Sequence, residues 1–193
     1  MSSHPVSYVS PEEYLERERL AETKSEYVFG EIVAMAGGTL QHAAITANLC
    51  VELAVRLRGK PCIVFSPDAR VCVQWGSLIT YPDVTVLCGT PQHTDDRRDT
   101  LMNPTFLAEV LSPSTRAFDR GEKSRLFRML PSLAEYALVD QTPVDIEHYR
   151  RMPNGNWELT TIRDTGAVLR LNSLDCEIPV AEIYRNLDLL GAA

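Results

Sequence analysis

The stretch YPDVTVLC, residues 81–88, sets the fold problem, because it reads as a β-strand with an acid at its head. Val, Thr and Tyr favour strands, whereas Asp is depleted from them and is seldom buried without a partner. The same conflict recurs in TFLAEVLSP, residues 105–113. Period-two alternation puts Leu107, Glu109 and Leu111 on one face and Ala108 and Val110 on the other, so Glu109 shares its face with two leucines. An ionised carboxylate in such a place costs several kcal/mol unless a cation or hydrogen-bond donors meet it. On adjacent strands Asp83 and Glu109 would repel each other, and a divalent cation is the usual resolution. The alternative reading has each acid finishing its own strand, Asp83 at a wet end and Glu109 in a buried ion pair with an arginine.

Working outward, Ser10-Pro11-Glu12-Glu13 has the N-cap, first-position proline and third-position acid of a helix start, so a helix is expected over Pro11 to Thr23. EYVFGEIVAMAGG predicts a hairpin through Gly30, followed by a turn at Gly37-Gly38. Ile45, Leu49, Leu53 and Leu57, spaced by four, predict an amphipathic helix ending at Gly59. Strands follow in CIVFSPDARVCVQW, YPDVTVLCG and TFLAEVLSP, with GTPQHTDDRRDTLMNP as a polar, mobile loop between the last two. In DRGEKSRLFRML, Asp119 and Glu122 have capping-box spacing and the helix stops before Pro131. EYALVD is a further strand, Pro153-Asn154-Gly155 turns a C-terminal hairpin, and PVAEIYRNL reads as a short closing helix. With no repeat or linker, the expectation is one α/β domain over 1–193 with mixed strand pairing.

Lys123 sits three, four and seven residues before Leu126, Phe127 and Leu130, so it shares the apolar stripe of its helix. Its ammonium either meets a carboxylate at a phosphoryl-transfer site or snorkels out from the first turn. His42 likewise precedes Ile45 and Leu49 on the inward face, as a metal ligand, a proton acceptor or a satisfied core histidine. Asp68 lies at a strand break in FSPDARV, where a turn role competes with a ligand role.

The 193 residues carry a net charge of -7, which argues against non-specific coating of nucleic acid. STRAFDRGEKSRLFR is a local exception, leaving room for an anionic partner on one face. No run approaches the roughly 20 apolar residues of a membrane span, and MSSHPVSYVS lacks a secretion signal's basic and apolar regions, so cytoplasm is the default. Five cysteines without a CxxC pair read as small buried hydrophobes rather than metal ligands or disulfides. Leu187, Leu189 and Leu190 at the tail form either a homodimer face or the end of the core.

The segments KSEYVFGEIVAMAGGTLQHAAITANL, YPDVTVLCG and LAEVLSPSTRAFDRGEKSRLFRMLPSLAEYALVD, in that order, resemble the Uma-two family of bacterial proteins assigned as restriction endonuclease-like. That family is placed in the PD-(D/E)XK nuclease superfamily, whose core is a helix, three strands, a helix and a fourth strand, the order read above. The resemblance implies that Asp83, after Pro82, and Glu109 bind Mg2+ or Mn2+. The superfamily's lysine, two residues after the glutamate, is here Leu111, and Lys123 on the neighbouring helix is the replacement candidate. Glu26 and His42 lie in segments resembling family motifs, without a role assigned to either. The implied function is metal-assisted hydrolysis of DNA phosphodiester bonds, with Lys123 steering the attacking water. The alternatives are a catalytically inactive nuclease-like binding or regulatory module, or chemistry on a smaller phosphorylated substrate.

Overall fold

The computed structural model describes residues 8–35 and 37–191. Helix α1, Pro11–Glu18, is capped by Ser10 Oγ, which accepts from Glu13 N. It ends before the expected Thr23, because the chain must turn into strand β1, Ser25–Val28. There Glu18 accepts hydrogen bonds from Ser25 N, Ser25 Oγ and Tyr81 Oη, tying the end of the helix to two strands. β1 pairs antiparallel with β2, Glu31–Ala34, through Phe29-Gly30, both at positive φ. Gly30 is required twice over, since a Cβ there would lie 2.3 Å from the Tyr8 ring.

Helix α2, Leu40–Arg56, buries Ile45, Leu49 and Leu53 as their spacing predicts. CIVFSPDARVCVQW divides into β3, Cys62–Phe65, and β4, Arg70–Gln74, which belong to different sheets. Then come β5, Leu78–Thr80, β6, Val84–Cys88, β7, Thr100–Leu101, and β8, Phe106–Leu111. A continuous helix α3 runs over 116–127, with a π-helical turn at Asp119–Lys123. Asp119 therefore does not cap this helix: it lies inside it and is buried. The remaining strands are β9, Glu135–Asp140, β10, Ile146–Arg151, β11, Trp157–Ile162, β12, Val168–Leu171, and β13, Cys176–Pro179, before helix α4, Val180–Ile183. The β10–β11 hairpin matches the expected one, while β12–β13 was not foreseen.

The main sheet has the order β11-β10-β9-β8-β6-β3, and only its β8–β9 pair is parallel, bridged by the α3 crossover. The series α2, β3, β6, β8, α3, β9 follows the helix, three strands, helix, strand order that the resemblance implies, with β4, β5 and β7 inserted into it. These inserted strands join the N-terminal hairpin in a second sheet, β2-β1-β5-β4-β7. Alternation on the central strands sorts the core into two layers. Val84, Val86, Phe106, Ala108 and Val110 pack with α2, whereas Leu107 and Leu111 pack with Leu126, Phe127 and Leu130 of α3 and with the second sheet. Each fully buried leucine or phenylalanine contributes roughly 2 kcal/mol of transfer free energy.

Two further expectations change. The 89–104 loop is strapped down: Arg19 binds Asp99 at 2.8 Å and Asp95 at 2.7 Å, and β7 within it pairs with β4. Cys62 and Cys88 face each other across β3–β6 and form a disulfide, so the cysteines are not all simple hydrophobes. Such bonds are rare in a reducing cytoplasm, so the pairing gives the cytoplasmic expectation no support. No helix among the described residues is long and apolar enough to cross a membrane. Leu187 packs on the core, but Leu189 and Leu190 stay exposed.

Candidate active site

Asp83 immediately precedes β6, whose register sets Val84 against Ala108 on β8, so the fold brings Asp83 beside Glu109. Asp83 Oδ2 accepts from Val110 N at 2.7 Å, fixing the acid to the strand that carries Glu109. The same oxygen lies 3.1 Å from His42 Nε2. His42 is held at the start of α2, where Thr39 Oγ1 accepts from His42 N at 3.1 Å. Thr39 in turn donates to Gln141 at 2.6 Å, and Gln141 Nε2 donates to Leu111 O at 2.8 Å, anchoring the helix start to the end of β8. Gly38 leaves room for the imidazole, since a Cβ there would come within 2.8 Å of Nδ1.

Lys123 is buried, as the helix stripe predicts, and its Nζ lies 2.8 Å from Glu109 Oε1, 3.0 Å from Glu26 Oε1 and 3.8 Å from Asp119 Oδ1. The three carboxylates come from the main sheet, the second sheet and α3. Glu26 also accepts from Thr80 Oγ1 on β5. Leu111, at the position where the resemblance expects lysine, is buried in the apolar layer against α3. Sequence reasoning missed Asp119 by reading it as a cap. Its spacing of four from Lys123 marks it as a same-face neighbour.

The charges do not balance. Asp83, Glu109, Glu26 and Asp119 surround one lysine and one histidine. Burial raises the Glu109 carboxyl well above the ordinary range, Lys123 opposes that, and Asp83 and Asp119 add to it. Burial raises Asp119 as well. On Lys123 burial opposes the charge, but Glu109, Glu26 and Asp119 outweigh it, so its pKa is held above that of ordinary lysine. The hydrogen bond to Asp83 raises His42, against the effect of burial.

The donor set fits a hard divalent cation. Glu109 Oε1 is buried and meets the Lys123 ammonium at 2.8 Å, an ammonium that Glu26 and Asp119 share. The hydrogen bonds of Asp83 to described residues all use Oδ2. Two carboxylates suit Mg2+ or Mn2+, which keep several positions for water and phosphate oxygens. Among the described residues no group of three or more His, Cys, Asp or Glu is arranged to hold a metal ion, so any ion here would rest on the two carboxylates.

Asp83, Glu109 and Lys123 line a cavity of about 390 Å³, with Glu26, His42 and Asp119 beside them. Ser112, Ser114 and Thr115, not foreseen in the sequence, place hydroxyls on its rim. Asp68 stands apart, pairing with Lys24. The basic stretch is largely neutralised within the chain: Arg116 and Arg120 pair with Asp140, Arg120 also with Glu147, and Arg125 with Glu122.

A family profile described as "Uma2: Putative restriction endonuclease" matches residues 11–181. Two uncharacterized proteins of Synechocystis are similar along most of their lengths. The protein sll1609 is 35% identical over 160 residues, covering 83% of this chain and 90% of that one. The protein slr1290 is 37% identical over 187 residues, covering 96% of each. Among solved structures, a nuclease-assigned protein of DUF820 from Anabaena variabilis superposes with a TM-score of 0.74 at 17% identity, covering 91% of this chain and 97% of that one, a likeness of fold. The chain belongs to the Uma2 family, and its fold is nuclease-like.

Proposed function

We propose that this chain is a nuclease hydrolysing DNA phosphodiester bonds, with Asp83 and Glu109 holding Mg2+ or Mn2+. The observation that carries the reading is the excess of buried carboxylate around Lys123, which three acids share. When bound, the cation would act as a Lewis acid on the phosphate and lower the pKa of a bound water. His42 and Val110 N orient Asp83 through Oδ2, and its other oxygen, which no described residue hydrogen-bonds, is the one to offer the ion. Lys123 supplies an ammonium beside Glu109, where it can hold the attacking water or offset charge that develops on the phosphate. Glu26 and Asp119 keep that ammonium charged and in place.

A nuclease-like module without turnover is the second reading. It draws support from the arginines of α3, which are engaged by acids of the same chain rather than left free for phosphates. Incubation of DNA substrates with Mg2+ or Mn2+ separates the two. Cleavage by the wild type that EDTA and Asp83→Asn both abolish is expected. Equal cleavage by Asp83→Asn contradicts the assignment.

A further inference from the structure

We infer that the DNA strand enters this site unpaired, with one nucleotide of single-stranded DNA lodged in the cavity beside Asp83 and Glu109, an inference that rests on the nuclease reading above. The first ground is depth. Glu109 is only 5% exposed, and it lies between the β1–β2 hairpin on one side and α3 on the other. A phosphate within a duplex is carried on a broad rigid cylinder, which meets those flanks before the phosphate meets the carboxylate. A lone strand is narrow enough to descend between them.

The second ground is the character of the walls. The cavity, about 390 Å³, is the size of a small-ligand pocket. Its sides carry Val28, Val33, Met35 and Phe118, with Tyr81 nearby. Apolar and aromatic walls suit the faces of an unstacked base, whereas a duplex presents sugar-phosphate and polar groove edges. Enzymes that work in such confined pockets take the nucleotide out of the stack, which is easiest when the strand is already single.

The third ground is electrostatic. A duplex carries about twice the phosphate charge per length of a single strand and calls for more free Lys and Arg, yet Arg116, Arg120 and Arg125 on α3 are bound to acids, and Arg128 lies over the Tyr149 ring. Ser112, Ser114 and Thr115, hydrogen-bonded to one another through Ser112 Oγ, give this part of the cavity lining neutral hydroxyls rather than cations.

The test is equilibrium binding in Ca2+ of a fluorescent single-stranded oligonucleotide of about 15 nucleotides, against a hairpin duplex of the same sequence. Wild type should bind the single strand at least roughly tenfold more tightly, the weight of one stacked base. Ala34→Trp fills the cavity from the exposed edge strand, and Met35→Glu places a charge against the base. Each, with its melting temperature checked, should lose about that factor for the single strand and little for the duplex. Equal or tighter duplex binding, no binding of either DNA, or unchanged single-strand affinity in both variants overturns the inference. Mn2+ binding on the same preparation tests the nuclease reading separately. Mn2+ bound without strand preference overturns only the unpaired-strand inference, and strand preference without Mn2+ binding overturns only the nuclease reading.

Discussion

Lys123 Nζ lies 2.8 Å from Glu109 Oε1, so the buried acid of β8 meets its cation from helix α3 and not from its own strand. The position two residues along β8 is occupied by Leu111, which is needed in the apolar layer beneath α3. A π-helical turn spans Asp119–Lys123, an irregularity that recurs at functional sites. Moving the ammonium to the helix lets it answer Glu26 and Asp119 as well as Glu109.

Replacing that ammonium leaves buried carboxylates without a counter-charge. Lys123→Met is therefore expected to lower stability by about 3–5 kcal/mol at neutral pH, the usual cost of breaking a buried ion pair from one side. The loss should shrink in acid, as the carboxyls protonate. Urea unfolding at several pH values measures it, and a stability equal to wild type across the range would contradict the ion cluster.

Glu109→Gln should behave in the opposite sense. Burial raises the folded carboxyl above its unfolded value, so its stabilising contribution is present in acid and is lost as pH rises through the folded pKa. The amide has no such pH-dependent cost, and Lys123 keeps Glu26 and Asp119. The variant should melt no lower than wild type at neutral pH, with metal-dependent cleavage abolished. A lower melting point, or retained cleavage, would overturn this.

The His42–Asp83 contact carries its own pH signature. His42 is raised by its hydrogen bond to Asp83, so its contribution is fully present below the unfolded histidine pKa and disappears as pH rises through the folded one. The stability gap between wild type and His42→Asn should be widest below the unfolded histidine pKa, about 6.5, and should close as pH rises through the folded one. Asp83 and Asp119 are the acids that act on this imidazole. A gap independent of pH would assign the histidine a packing role alone.

The Cys62–Cys88 bridge closes a loop with a sequence separation of 26 and joins edge strand β3 to β6. Double substitution to serine should cost roughly 3 kcal/mol under non-reducing conditions, and little once wild type is itself reduced. Thermal melts with and without reductant measure both states. An identical melt for oxidised wild type and the double variant would contradict the bridge.

Much of this was legible from local pattern. The spacing from Ile45 to Leu57 fixed α2, alternation put Glu109 on the face of Leu107 and Leu111, and the forward spacing of Lys123 aimed it at the core. What failed to show depends on register and long-range pairing. Cys62 meets Cys88 only through the β3–β6 register, and the second sheet gathers strands from both sides of α2. Glu26 looks like one polar residue of a hairpin until that sheet sets it against α3. Asp119 was misread because α3 begins three residues earlier, at Arg116. The β12–β13 hairpin was hidden because its connection is a short 3-10 turn through Asp175, at positive φ, without a Pro or Gly to mark it.

The most direct measurement is Mn2+ calorimetry on wild type and on the Asp83→Ala, Glu109→Ala double variant, matched for folding by circular dichroism. Binding by wild type that vanishes in the double variant is the expected result, and would explain why an acid heads the strand at residues 81–88. Binding that persists in the double variant, or none in wild type, would contradict a metal site at Asp83 and Glu109.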